Sequence, residues 1–371
     1  MNESMNLAAI VVFGGFALAF VFGFVAMRAN FCTMGAIADI VNMGHWGRMR
    51  MWLLAIAVAI IGASVLQGLG LVELHDSIYP RPRLLWLSAI VGGFVFGVGM
   101  TLAGGCANRN LLRIGAGSLR SIVVFAFVGI SGYMTIKGLF GQWRVDYLDR
   151  FAVDLAAFGL KGQDLPTLLA TASGLSAKSA LAIVAGLVAG ALLVFIFMDA
   201  RFRDNPKQIV AGVVIGLAVT GGWYVSGHLG HGENEQLEMV YFATNTRAAE
   251  SLSFVAPMAY TLELLMLWTD KSLSVSFGVA SALGVVLGAM AWALVSKSFR
   301  LEGFASAVDT RDHIIGATLM GFGGVTALGC TVGQGISGVS TLALGSILAL
   351  ASIIAGAVAT MKYLLWREEN A

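Results

Sequence analysis

Charge is scarce in this chain: 12% of its 371 residues are Asp, Glu, Lys or Arg, against 58% apolar. A soluble domain carries about 25% charge, so this sequence has too little polar surface to cover itself in water. No sizeable soluble domain is expected. Cysteine is also rare, at three residues, and Cys32, Cys106 and Cys330 all lie in apolar or glycine-rich stretches. An odd count in such places argues against a disulfide framework, and without a CxxC pair there is no zinc or redox motif. Phosphate-binding loops, nucleophile elbows and zinc-protease patterns are missing. The expectation is a non-enzyme with no cofactor, no metal and no ATP-driven step of its own. Five prolines against 47 glycines fit helices that approach each other through small residues. A net charge of +2 on singly scattered bases leaves no footprint for nucleic acid.

What the chain does have is long apolar runs. Leu7–Met27, Met51–Val72 and Leu273–Val295 each continue without an acid or a base. About 20 such residues span the hydrocarbon core as a helix, and a spanning segment must satisfy its backbone internally. Candidate spans are 7–27, 51–72, 84–104, 115–138, 178–199, 208–227, 274–296, 313–330 and 338–363. Two further apolar stretches, 29–46 and 252–268, are too short or interrupted to cross and are read as re-entrant. The fold class is an all-α polytopic membrane protein of about nine transmembrane helices plus re-entrant short helices. The opening MNESMNL carries an acid where a secretory signal carries bases, so the first run is read as a retained helix. Arg48, Arg50, Arg201, Arg203, Lys207, Lys297, Arg300, Lys362 and Arg367 then fall on one side, and the acid-rich 228–250 on the other. Basic loops stay cytoplasmic. The expected placement is a bacterial inner membrane with a periplasmic N-terminus and a cytoplasmic C-terminus.

An internal repeat organises these spans. A shift of 224 positions lays Gly92, Gly97, Gly99, Gly105 and Cys106 on Gly316, Gly321, Gly323, Gly329 and Cys330, and Asp39 on Glu263. The same shift is read as placing the spans 7–27 and 51–72 over 208–227 and 274–296. The extra helix 178–199 makes the second repeat begin on the opposite side, giving an inverted-topology repeat. The divisions are 1–138 for the first repeat, 139–207 for the connecting loop and extra helix, and 208–371 for the second repeat.

In each half an apolar, glycine-spaced run reaches Gly-Cys and then breaks: LAGGCANRN around Cys106 and TALGCTVGQ around Cys330. Irregular backbone at membrane depth survives where it is buried or lines a cavity. The N–H groups of a following helix start favour anions. Gly105, Gly329, Asn108, Arg109 and Gln334 are therefore the turn and anion-facing candidates, with neutral thiols as soft partners for a sulfur-bearing anion. Arg109 and Arg113 either draw an anion inward or snorkel to headgroups. Asp39, Glu263 and Arg28 are candidates for structural pairing. His228, His231, Glu233 and Glu235 read as a solvated polar loop and not as a metal site.

With these motifs the chain resembles the YeeE/YedE family of sulfur-compound transporters. The likeness is carried by NFCTMGAIAD around Cys32, LAGGCANRNLLRIGAGSLRS around Cys106 and ALGCTVGQGISGVSTLALGS around Cys330. It implies an hourglass fold with re-entrant helices, thiosulfate or a related sulfur anion as substrate, and Cys32, Cys106 and Cys330 lining its path through S–H···S contacts. A membrane-embedded sulfurtransferase handing persulfide sulfur to a carrier is the alternative, and a passive anion channel a third reading. Drive by protons, by sodium, or by a cytoplasmic sulfur-carrier or rhodanese-like partner stays open at this point.

Overall fold

The computed structural model describes residues 2–234 and 236–370. Helices α1 (Asn2–Ala29), α2 (Thr33–Met43) and α3 (Gly47–Gly68) are followed by α4 (Trp86–Leu102), α5 (Ala107–Gly115) and α6 (Leu119–Lys137). The connection contains α7 (Leu139–Trp143), α8 (Leu165–Ser173), α9 (Ala177–Phe197) and α10 (Ala200–Arg203). The second half runs α11 (Pro206–Tyr224), α12 (Val255–Met266), α13 (Phe277–Val295), α14 (Ala307–Thr326) and α15 (Leu344–Glu369). Among the described residues, eight helices are long and apolar enough to cross a membrane. The span expected at 313–330 is α14, which starts earlier and carries Asp309, Arg311 and Asp312 in its first turns. It has the length of a span, but those charges keep it out of the eight. The segment expected at 338–363 starts as a helix only at Leu344.

Both stretches set aside as too short to cross hold one short helix each, α2 and α12. The break after Cys106 is less irregular than expected, because α5 resumes at once for nine residues. After Cys330 there is only a wide π-type turn over Gly333–Gly338. Two residue-poor antiparallel pairings, Arg83–Leu84 with Val153–Asp154 and His231–Glu233 with Met239–Tyr241, are the named strands.

Glycine sets how these helices meet. On α4 and α14, Gly92 lies against Gly323 and Gly99 against Gly316, so the two helices run antiparallel and backbone touches backbone. Side chains there would force the axes apart, which is why small residues populate such crossings. Helix α1 packs on α13 and α11 packs on α3; α4 packs on α15 and α14 packs on α6. Each pair becomes the next when a helix is exchanged for the one in the same place of the other half. The fixed shift of 224 holds from α2 onward. It does not hold for α1 and α11, because the 230–254 segment lengthens the second half.

Candidate substrate path

Each half builds the same turn before its cysteine. The amide of Ala103 donates to Gly99 O and that of Gly105 to Met100 O; 224 positions on, Ala327 donates to Gly323 O and Gly329 to Gly324 O. Such closures satisfy the last carbonyls of a helix and demand one left-handed residue. Gly104 supplies it in the first half at φ 64°, and Leu328 supplies it in the second at φ 60°. Glycine adopts that region freely, whereas a leucine there is strained.

All three cysteines are buried free thiols, each at the start of a helical segment. Asn30, left-handed at φ 53°, turns the chain from α1 so that Cys32 caps α2, its Sγ accepting from the Gly35 amide at 3.4 Å. Cys330 does the same for its turn, accepting from the Gly333 amide at 3.4 Å. Cys106 starts α5 without a cap bond. Its thiol instead faces the Cys32 thiol and the Thr331 hydroxyl. Cys32 thus meets Cys106 within the first half, and Cys106 touches the second half through the Thr331 hydroxyl.

Two amides hold the Gly-Cys turns from behind. Asn110 donates to Gly105 O at 3.0 Å and to Cys106 O at 3.2 Å. Gln334, at the matching position of the other half, donates to Ala327 O. The side-chain oxygens of Asn108, Asn110 and Gln334 and the Thr331 hydroxyl are buried with no protein partner. Buried polar groups are normally paired, so this row of orphans around the turns is where water or a ligand would be accommodated.

The surroundings differ on the two sides of the thiols. On one side Arg109 and Arg113 are half-buried. Arg109 reaches Asn30 Oδ1 at 3.4 Å, and the Arg113 guanidinium lies by Gly104 and Gly105, with the His313 ring also beside Gly104. Among the described residues, neither arginine makes an ion pair. On the other side, two cavities of about 210 and 270 Å³ share Ile78, Tyr79 and Leu328 as walls. The first has Gly329 and Glu250 on its wall; the second has Gln334, Arg81 and Arg83.

The acids of the repeat take partners other than Arg28. Asp39 is held by Arg48 in a two-pronged contact. Glu263 accepts from Lys137 at 2.8 Å and from the Tyr133 hydroxyl at 2.9 Å. Arg28 lies 5.3 Å over the Trp292 ring. In the 228–235 loop, His231 stacks on Tyr241 with ring centres 4.4 Å apart; Glu235 lies outside the described residues. Asn110, Thr331, Tyr79 and Glu250 were not singled out by the sequence. Asn110 had a signal, since the 224 shift lays it on Gln334.

Comparison with known proteins follows the same lines. The profile of the family described as Sulphur transport matches residues 28–359. The chain is 28% identical to the thiosulfate transporter TsuA of Spirochaeta thermophila, over 96% of this chain and 100% of that protein. It is 26% identical to the thiosulfate transporter TsuA of Escherichia coli K12, over 88% of this chain and 87% of that one.

Proposed function

Since the chain belongs to the sulphur transport family, we propose that it imports thiosulfate, or a similar small sulfur anion, through the Cys32, Cys106 and Cys330 path. It is a multi-pass membrane transport protein of that family, and the substrate reading rests on the two thiosulfate transporters it resembles along their length. The observation that carries the path is the meeting of Cys106 with Cys32 and Thr331 between Arg109 and Arg113, without ion pairs among the described residues, on one side and two cavities on the other.

The chemistry suits a soft anion. A neutral thiol donates weakly and offers polarisable sulfur, so it guides a terminal sulfur atom without the retention of a charged clamp. The unpartnered Thr331 hydroxyl can donate to the anion and replace part of the hydration it sheds, whereas the orphan amide oxygens of Asn108 and Gln334 only accept and suit water. Arg109 and Arg113 lie beyond the thiols and attract the charge once it has passed. The charge map supports a periplasmic N-terminus and a cytoplasmic C-terminus, with the cavities outside and the arginines inside. The antiparallel course of α4 and α14 supports an inverted repeat divided at 1–138, 139–207 and 208–371.

Import of a dianion works against a negative interior. Each charge costs about 2.3 kcal/mol per 100 mV, so a dianion needs roughly twice that from a coupled ion or from consumption inside. Uptake of radiolabelled thiosulfate into cells without other importers tests the reading. Uptake that depends on this chain and falls to background when Cys106 and Cys330 are both changed to Ala is the expected result. Undiminished uptake by that double variant would remove the cysteine path.

A further inference from the structure

The cavity of about 210 Å³ that leads to Gly329 has a carboxylate on its wall where an anion is to be received. Glu250 lies in the segment between the His231–Tyr241 hairpin and α12, outside the spanning helices. Its backbone is fixed to the Ser226 hydroxyl, which accepts from the Glu250 amide at 3.0 Å. One carboxyl oxygen, Oε1, accepts from both the amide and the hydroxyl of Thr246 at 2.7 Å. Among the described residues no side chain is hydrogen-bonded to its other oxygen and no cation pairs with it.

The groups that face it leave this charge uncompensated. Tyr79, from the segment after α3, and Tyr260, from α12, line the same cavity. Arg144 is the cation on its wall, and it is engaged by Asp149 at 3.2 Å. The lining residues of α6, α13 and α14 bring no titratable group. An ionised Glu250 would therefore repel any anion entering towards Cys330. A protonated Glu250 would present an O–H donor to it.

We propose that Glu250 is a proton-binding site of the outer cavity, and that an anion loading there takes up one proton onto this carboxyl. The proposal rests on the anion-transport reading above and adds its coupling ion. Burial holds the Glu250 carboxyl above the usual carboxylate range, partly offset by hydrogen bonds from Thr246 and from the Asn245 amide. The sign is fixed by linkage: a ligand that prefers the protonated form raises the proton affinity of the site, and protonation raises the affinity for the ligand. Anion affinity is then highest in acid and declines as pH rises past the Glu250 pKa. One coupled proton limits the decline to about tenfold per pH unit.

The test is calorimetric titration of the purified full chain with sodium thiosulfate at pH 6, 7 and 8, in pairs of buffers with different ionisation enthalpies. Expected are net uptake of up to one proton per anion at pH 7 to 8 and a Kd that rises with pH. In Glu250→Gln the uptake vanishes and Kd becomes flat with pH. Thiosulfate binding with a flat Kd and no proton uptake in the unaltered protein overturns this inference and leaves the transport reading standing. That measurement does not need the variant to fold. Absence of binding of both thiosulfate and sulfate at every pH defeats the transport reading and this inference with it. A parallel titration with sodium sulfate separates the two: proton-linked binding of sulfate alone upholds the Glu250 site and defeats only the thiosulfate assignment.

Discussion

A Cβ added to Gly99 would stand 2.6 Å from the carbonyl oxygen of Gly316, and one added to Gly316 would stand 2.6 Å from that of Gly99. The 224 shift lays this pair on Gly323 and Gly92, whose backbones meet in the same reciprocal way. Real Cβ atoms do not come so near a backbone oxygen, so either substitution has to move a helix. Gly99→Val or Gly316→Val should destabilise the protein by about 1–3 kcal/mol or more, as overpacking does. Thermal unfolding of the detergent-purified protein measures it, and an unchanged midpoint would show that the crossing is looser than drawn.

The cysteines separate by position. Cys106 sits where the halves meet, so Cys106→Ala should lower thiosulfate uptake about tenfold, the equivalent of roughly 1.4 kcal/mol in the barrier. Cys106→Ser keeps a small donor but loses polarisable sulfur and should fall between the two. Mass spectrometry after exposure to thiosulfate should find all three thiols unmodified. A stable persulfide on Cys106 or Cys330 would favour sulfur transfer over permeation.

Asn110 is predicted to act on the path through the backbone. Its side-chain amide holds the carbonyls of Gly105 and Cys106; Asn110→Ala leaves the Gly105 carbonyl without this donor, while the Cys106 carbonyl keeps the Asn110 backbone N–H. An unsatisfied buried polar group costs about 1–3 kcal/mol. Stability should fall by that order, and uptake should fall further than stability alone explains because the Cys106 turn is released. Asn110→Gln, which restores an amide of the kind found at Gln334, should recover part of both.

Asp39 and Arg48 form a fourth test. Asp39 is nearly buried, and Arg48 is its ion-pair partner among the described residues. Removing one partner of a buried pair strands the other, at a cost of about 3–5 kcal/mol for full burial; partial exposure of Arg48 lowers this. Arg48→Gln should therefore destabilise strongly, and the double variant with Asp39→Asn should recover much of the loss. Denaturation of the two variants side by side reads the difference.

Much of the fold was legible because its constraints are local. Apolar runs of span length fix helices, and the 224 shift lays one Gly-Cys turn on the other. The capping of α2 by Cys32 was less visible, since the conventional capping types in NFCTMG are Asn30 and Thr33, and the cap falls on the thiol between them. The start of α14 was misjudged because Asp309, Arg311 and Asp312 read as a loop, whereas Ser306 caps a helix there by accepting from the Asp309 amide at 3.1 Å. Glu250 was lost among the acids of 228–250. Nothing in that stretch of sequence tells a carboxylate on a cavity wall from one in solvent. Its environment is assembled from Tyr79, Tyr260 and Arg144, which are far apart along the chain.

The exchange of partners between halves also bears on how the protein is made. Helix α1 is laid against α13, and α3 against α11, so α1 and α3 lack their most extensive neighbours until the later helices are synthesised, although α3 already meets α2 and α9. The packing of α1 and α3 is therefore complete only once α11 and α13 are in place. The first half must wait in lipid with its glycine faces open, shielded by α9 or by the insertion machinery, and assembly completes only when α13 and α14 arrive. Loss of the chain's last third should therefore leave the whole protein unassembled, rather than leaving half a transporter.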